Sequence, residues 1–163
     1  MPDNSKIIDL KIDLKVGDPA PDFSVYSLRG EKINLSDKLA TGQKIMLVFY
    51  PKDMTSGCTT QLCGIRDVYN EYKELGVTVY GLSQDNAETH IRFTDTYSFQ
   101  FELLIDEGRK IAQQYGAIKS IFGNIGTKRG VFLINTDGKI IYQVWGQQNN
   151  QEILDFLKEH AKK

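Results

Sequence analysis

The sequence predicts an α/β fold, a central sheet covered by helices on both faces. Three observations carry this. Residues 44–51, KIMLVFYP, form an almost unbroken apolar run, the pattern of a strand buried on both sides. Strand-like and helix-like segments then alternate. Near the C-terminus two apolar stretches flank Asp137-Gly138, a tight-hairpin signal, and an amphipathic helix follows. With 163 residues and no repeat, low-complexity tract or linker, the chain suits one domain over residues 1–163.

The elements read in order as follows. Ile8, Leu10, Ile12, Leu14 and Val16 alternate with charged residues, so the N-terminus, through about residue 15, is a half-exposed strand or an extended arm. The stretch VGDPAPDF is rich in proline and opens the body of the domain. Pro51 stops the first buried strand. Residues 77–83, 101–106, 130–135 and 139–146 read as further strands. A helix over 58–75 presents Leu62, Ile65, Tyr69 and Tyr72 on one face, spaced by three and four. A second, over 86–97, has Asn86 or Asp85 as its cap. A third, over 107–116, ends in Gly116. The last, over 149–163, buries Ile153, Leu154 and Leu157 and ends in basic residues that suit its dipole.

Composition narrows the function classes. The chain is 40% hydrophobic and 25% charged, as ordinary globular proteins are. A net charge of −1 gives no basic excess to draw nucleic acid or an anionic membrane. No apolar run approaches the roughly 18 residues that span a bilayer. The N-terminus mixes Asp3, Asp9 and Asp13 with lysines, unlike a secretory signal or a transit peptide. The expected location is the cytoplasm. There, disulfides are usually transient and catalytic, and two cysteines are too few for a secreted disulfide scaffold.

Both cysteines fall in YPKDMTSGCTTQLCGIRD, residues 50–67. Cys58 lies four residues before Leu62 and so extends the apolar face into the first helical turn. Cys63 falls with Thr59, Asp67 and Asn70 on the opposite, polar side. Five residues of α-helix advance about 7.5 Å and rotate about 140° past a full turn. A disulfide needs Cα atoms roughly 4.4–6.8 Å apart with converging Cβ vectors. The two cysteines therefore cannot bond while the helix is intact, and a bond between them would require its first turns to melt. At a helix N-terminus, unpaired N–H groups and the positive dipole end favour a thiolate at Cys58. Thr55 adds a hydroxyl three residues earlier, and Pro51 stiffens the loop. A thiolate among such donors can attack one oxygen of a two-oxygen molecule while the donors support the other.

The stretch PKDMTSGCTTQLCGIRD resembles the peroxiredoxins, whose signature P-x-x-x-T-x-x-C is met by Pro51, Thr55 and Cys58. A second cysteine five residues on resembles the bacterioferritin-comigratory-protein, or peroxiredoxin Q, branch. The likeness extends through VGDPAPDFSVYSLRGEKINLSD, YGLSQDNAETHIRF, LLIDEGRKIAQQYG and GTKRGVFLINTDGKI, from about Val16 to the C-terminus. The resemblance implies a thioredoxin-like fold with a mixed sheet and a thiol-dependent peroxidase acting on hydrogen peroxide and organic hydroperoxides. Cys58 takes the place of the peroxidatic cysteine, which becomes a sulfenic acid. Cys63 takes that of the resolving cysteine, which closes an intrachain disulfide. Thr55 would bind peroxide and thiolate, Pro51 would shield the sulfur, and Arg129 would steady the thiolate and the departing oxygen. The implied reductant is thioredoxin or a similar dithiol protein, with no metal or organic cofactor, in a monomer or homodimer. The chain departs from the family pattern at two positions: Ser56 stands where many relatives have proline, and Gln61 where many have glutamate.

Other readings compete with these. Cys58 fits a buried core cysteine, Cys63 a bystander thiol, Thr55 a helix cap and Arg129 a solvated surface side chain. His90 and His160 are expected on the surface, and with the cysteines they lack zinc spacing. The glycine-rich stretch 123–130 enters a strand rather than a helix, so it is expected to be a flexible loop and not a phosphate cradle. Trp145 is expected in packed core. A disulfide oxidoreductase of the same fold would want C-x-x-C, which is absent. A non-catalytic binding domain would have no need of Pro51, Thr55, Cys58 and Arg129 together.

Overall fold

The computed structural model describes residues 12–161. Its centre is a five-stranded mixed sheet. Strands β1 (Ser24–Tyr26) and β2 (Lys32–Asn34) form a hairpin, and a short helix α1 (Leu35–Leu39) leads to β3 (Lys44–Phe49). Helices α2 (Ser56–Asp67) and α3 (Tyr69–Glu74) precede β4 (Val77–Ser83), and α4 (Ala87–Tyr97) precedes β5 (Glu102–Ile105). Helix α5 (Lys110–Gln114), the hairpin β6 (Ile118–Ile121) and β7 (Asn124–Thr127), strands β8 (Gly130–Ile134) and β9 (Ile140–Trp145), and α6 (Asn150–Ala161) complete the chain. The central order is β5-β4-β3-β8-β9. β3, β4 and β5 are parallel, while β8 pairs antiparallel with β3 and β9.

The apolar run predicted as a two-sided strand is β3. Ile45, Leu47 and Phe49 enter one core with Leu35 and Leu39 of α1 and Ile111 of α5. Met46 and Val48, with Tyr50 beyond, enter the other, with Cys58, Leu62 and Ile65 of α2, Phe93 of α4 and Leu154 of α6. Each face of the sheet is thus covered by helices, as the pattern required. The chain leaves the central strand β3 at the C-terminal end of the parallel strands, where the loop to α2 begins, and this places Cys58.

Several expectations need correction. The N-terminal strand or arm lies partly outside the described residues, and residues 12–16 form no strand. Residues 17–20 instead run beside the start of β9, through Gly17 N–H to the Ile140 carbonyl (2.8 Å) and Ala20 N–H to the Gly138 carbonyl (2.8 Å). The helix expected over 58–75 breaks at Val68, whose backbone (φ −118°, ψ 18°) leaves helical geometry between α2 and α3. The helix expected over 107–116 starts late, because Gly108 and Arg109 have positive φ (67° and 56°). The Asp106 carboxylate then caps α5 from outside, accepting from the N–H groups of Ile111 (2.8 Å) and Ala112 (3.0 Å). Stretch 123–130 is mostly ordered strand, not flexible loop. Phe122 and Gly123 turn the β6–β7 hairpin with φ of 50° and 81°, the left-handed pair of a two-residue turn. Phenylalanine there hides the usual Asn-Gly signal. Asp137-Gly138 does turn a hairpin, but through the three residues between Asn135 and Lys139 rather than two. Trp145 is half-buried, edge-on to Phe132.

Burial of the tyrosines predicts an alkaline limit. Burial raises Tyr80 and Tyr142 to about 12, and burial first among several causes raises Tyr50, Tyr72 and Tyr115 as well. Above pH 10 the unfolded chain loses these protons while the folded chain keeps them. The unfolded state then binds fewer protons, so stability falls as pH rises. Thermal melts should show the transition temperature flat below pH 9 and falling from pH 10 upward; a flat profile to pH 11.5 would contradict this.

Candidate active site

Tyr50 ends the buried strand run and loop 51–55 carries the chain to α2. Met54 turns that loop with a positive φ of 66°, a conformation costly for a side chain with Cβ. Thr55 stands at the N-cap in an extended conformation, but its side chain does not cap the helix. Its hydroxyl instead donates to the Lys52 carbonyl at 2.8 Å, tying the loop to itself. Thr55 is exposed and Pro51 half-buried. The peptide N–H groups of the first turn of α2 have no intrahelical carbonyl to bond and give that end its positive charge.

Cys58 sits in this turn with no exposed surface, on the apolar face the spacing predicted. Arg129 reaches it from the segment between β7 and β8. Its Nη2 lies 3.5 Å from Cys58 Sγ, and its Nη1 donates to Gln61 Oε1 at 2.6 Å. Gln61, three residues past Cys58 on the same helix, therefore does orient the arginine, through a neutral carbonyl oxygen rather than a carboxylate. Gln61 is itself buried, and its main-chain carbonyl accepts from Gln148 Nε2 at 3.1 Å. Arg129 is held along its backbone, its carbonyl accepting from Gly146 N–H at 2.9 Å. Thr55 at the N-cap, Cys58 in the first turn and Arg129, 71 residues further on, thus meet at one helix end, and Pro51 opens the loop that leads into it.

Cys63 lies on the flank expected, where Asp67 and Asn70 are exposed, but is not itself fully at the surface. It is partly buried and packs against the core that contains Cys58 and Leu62. The end of α4 covers this side of α2: Arg66 Nη1 donates to the Tyr97 carbonyl (2.8 Å) and Gln100 Nε2 to the Arg66 carbonyl (3.2 Å). Burial raises the Cys63 thiol, against the opposing charge of Arg66, so it stays protonated near neutral pH. Both cysteines are free thiols.

His90 is the largest miss. It was expected on the surface, yet it is wholly buried. Its Nδ1 lies 2.6 Å from Asp53 Oδ2 in the loop, and its Nε2 lies 2.9 Å from the Leu104 carbonyl. The apolar neighbours at helical spacing, Phe93 and Tyr97, mark the inner face of α4 and could have shown that residue 90 shares it. Sequence reading also missed Gln148 and the restriction at Gly57. A Cβ on Gly57 would stand 3.0 Å from Arg129 Nη2. Gly57→Ala should therefore push the guanidinium from the sulfur. Peroxide oxidation should slow about 3- to 10-fold, while helix propensity raises stability by about 0.5–1 kcal/mol. Stopped-flow oxidation and a thermal melt would check the pair of effects, and an unchanged rate would show that Arg129 needs no such clearance.

Comparison with known proteins gives the same result. The AhpC/TSA family matches residues 16–143. Peroxiredoxin Bcp of Escherichia coli K12 is 43% identical over 155 residues, 91% of this chain and 98% of its own. Peroxiredoxin Bcp of Bacillus subtilis is 36% identical over 157 residues, 92% and 99% respectively. Among solved structures, peroxidoxin BcpB of Mycobacterium tuberculosis superposes with TM-score 0.82 at 29% identity, covering 90% of this chain and 98% of its own. A PrxQ variant of Xylella fastidiosa superposes with TM-score 0.83 at 26% identity, covering 92% and 99%. A buried cysteine at a helix N-terminus beneath an arginine, on this sheet and with these relatives, places the chain in the AhpC/TSA family, in its Bcp/PrxQ branch of thioredoxin-fold peroxiredoxins, as a thiol peroxidase.

Proposed function

We propose that Cys58 is the peroxidatic and Cys63 the resolving cysteine of this thiol peroxidase, and that a thioredoxin-like dithiol protein recycles it. The observation that carries this reading is the Arg129 guanidinium 3.5 Å from a fully buried Cys58 Sγ. The Cys58 thiolate attacks one oxygen of the hydroperoxide, the O–O bond breaks, and the other oxygen leaves as water or an alcohol after taking a proton. Arg129 and the α2 N–H groups stabilise first the thiolate and then the negative charge on the departing oxygen. Thr55, already turned toward the loop, hydrogen-bonds the peroxide, and Pro51 limits water at the sulfur. Cys63 then attacks the sulfenic sulfur, water leaves, and a disulfide forms. An external dithiol reduces that bond by thiol–disulfide exchange and is itself oxidised to a disulfide. Every redox step uses sulfur, so neither metal nor organic cofactor is required. No helix among the described residues is long and apolar enough to cross a membrane. The reading places the enzyme in the cytoplasm as a monomer or homodimer, acting on hydrogen peroxide and organic hydroperoxides.

One equivalent of hydrogen peroxide added to the reduced protein should consume both thiols orders of magnitude faster than free cysteine reacts. Peptide mapping by mass spectrometry should find a Cys58–Cys63 bond. Thiol loss at the rate of free cysteine would overturn the assignment, and a disulfide only between chains would remove Cys63 from the resolving role.

A further inference from the structure

A buried histidine–aspartate pair that the peroxide chemistry does not use stands behind the active-site loop. The His90 and Asp53 side chains are 0% and 2% exposed, with Nδ1 and Oδ2 2.6 Å apart. The Leu104 carbonyl opposite Nε2 can only accept, so Nε2 carries a proton. Nδ1 faces the Asp53 carboxyl, and the two groups share a short hydrogen bond in the interior. Asp53 is also the loop's junction. Its Oδ1 accepts from the Tyr50 hydroxyl at 2.6 Å, and its N–H donates to Asp85 Oδ2 at 2.8 Å. That same oxygen accepts from Ser83 Oγ at 2.6 Å. One residue therefore joins the ends of β3 and β4, helix α4 and, through His90, strand β5.

Asp53 lies two residues from Pro51 on one side and two from Thr55 on the other, with the strained Met54 between it and Thr55. We propose that His90 is a positioning residue of the peroxidase: its buried hydrogen bond with Asp53 fixes the loop that carries Pro51 and Thr55 into the helix of Cys58. This rests on the roles given to those residues above. Without His90 the Asp53 carboxylate is buried and unpaired, and it regains solvation only by turning outward. The loop turns with it, and Pro51 and Thr55 leave their places. Removal of both polar side chains lets the loop settle on apolar packing.

The test reads only the first oxidation, by stopped flow with hydrogen peroxide at 25 °C, in a Cys63→Ser background. Slow reaction of that parent would defeat the assignment of Cys58 and not this proposal. Given a fast parent, His90→Leu should slow the step tenfold or more while circular dichroism shows the fold retained. Adding Asp53→Ala should restore at least fivefold of that loss. A His90→Leu rate within twofold of the parent, or a double variant no faster than the single, overturns the proposal. A merely structural pair would lower the melting temperature and leave the rate unchanged. Should His90→Leu not fold, Asp53→Ala and Asp53→Asn decide. Asparagine can still accept from Tyr50 and donate to a neutral His90, so it should react at least fivefold faster than alanine; equal rates overturn the proposal.

Discussion

Cys58→Ser should show no peroxide-dependent turnover with a thioredoxin-type reductant, while retaining its fold. The hydroxyl is far less acidic than a thiol, and oxygen has no counterpart of the sulfenic acid on which the cycle depends. Cys63 cannot take over. Its burial holds the thiol protonated near neutral pH, so its thiolate fraction lies below the few per cent of free cysteine. Nor does Arg129 reach it, since the guanidinium is spent on Gln61 and Cys58. The stability cost is modest. A buried hydroxyl without an ideal partner loses about 1–3 kcal/mol. That lowers the melting temperature by roughly 2–12 °C for a chain of this size. A coupled assay with a dithiol reductant, beside circular dichroism, separates the two effects. Turnover above the blank in a folded Cys58→Ser protein would place the chemistry elsewhere.

Most of what positions this site was legible because it is local. Two apolar faces on one strand, a proline at its end and a threonine before a helical cysteine are signals within twenty residues, and they placed β3, the loop and Cys58. Long-range partners left weaker traces. Arg129 was singled out through family resemblance; periodicity alone reads it as a surface side chain. His90 looked exposed because a histidine in a polar stretch usually is, and nothing near it in sequence announces a carboxylate 37 residues earlier. Cys63 was assigned to a polar flank because Thr59, Asp67 and Asn70 share its face; Asp67 and Asn70 are indeed exposed, but Cys63 itself is half-buried against the core, beside the place where Arg66 meets the Tyr97 carbonyl, and a backbone carbonyl carries no sequence signature. The small hairpins were missed because their strands are three or four residues long, too short for a period of two to stand out.

Cys63→Ser should still react once with peroxide and then stop. Its sulfenic acid should persist long enough to be trapped by a carbon nucleophile, and turnover with a thioredoxin-type protein should be lost unless a small thiol resolves it. The reason is geometric. In intact α2 the two Cα atoms stand about 8–9 Å apart, beyond disulfide reach, so the wild-type bond forms only when the helix start unwinds. The sequence makes that start weak. Ser56, Gly57, Thr59 and Thr60 are poor helix formers, and the two threonine hydroxyls bond back to the carbonyls of Thr55 (2.8 Å) and Ser56 (3.0 Å). Unwinding must also release the Gln61 bonds to Arg129 and Gln148. The far end of α2 is pinned by Arg66 to α4, so melting should stop there. Hydrogen exchange of the oxidised wild-type protein should therefore lose protection over 59–62 and keep it over 65–68. In Cys63→Ser treated with the same peroxide, protection should survive throughout α2, because a sulfenic acid, unlike a disulfide, sets no Cα–Cα distance that the helix must meet. Unchanged protection in a confirmed Cys58–Cys63 disulfide would refute the unwinding, and lost protection in oxidised Cys63→Ser would assign it to the sulfenic acid rather than to the bond.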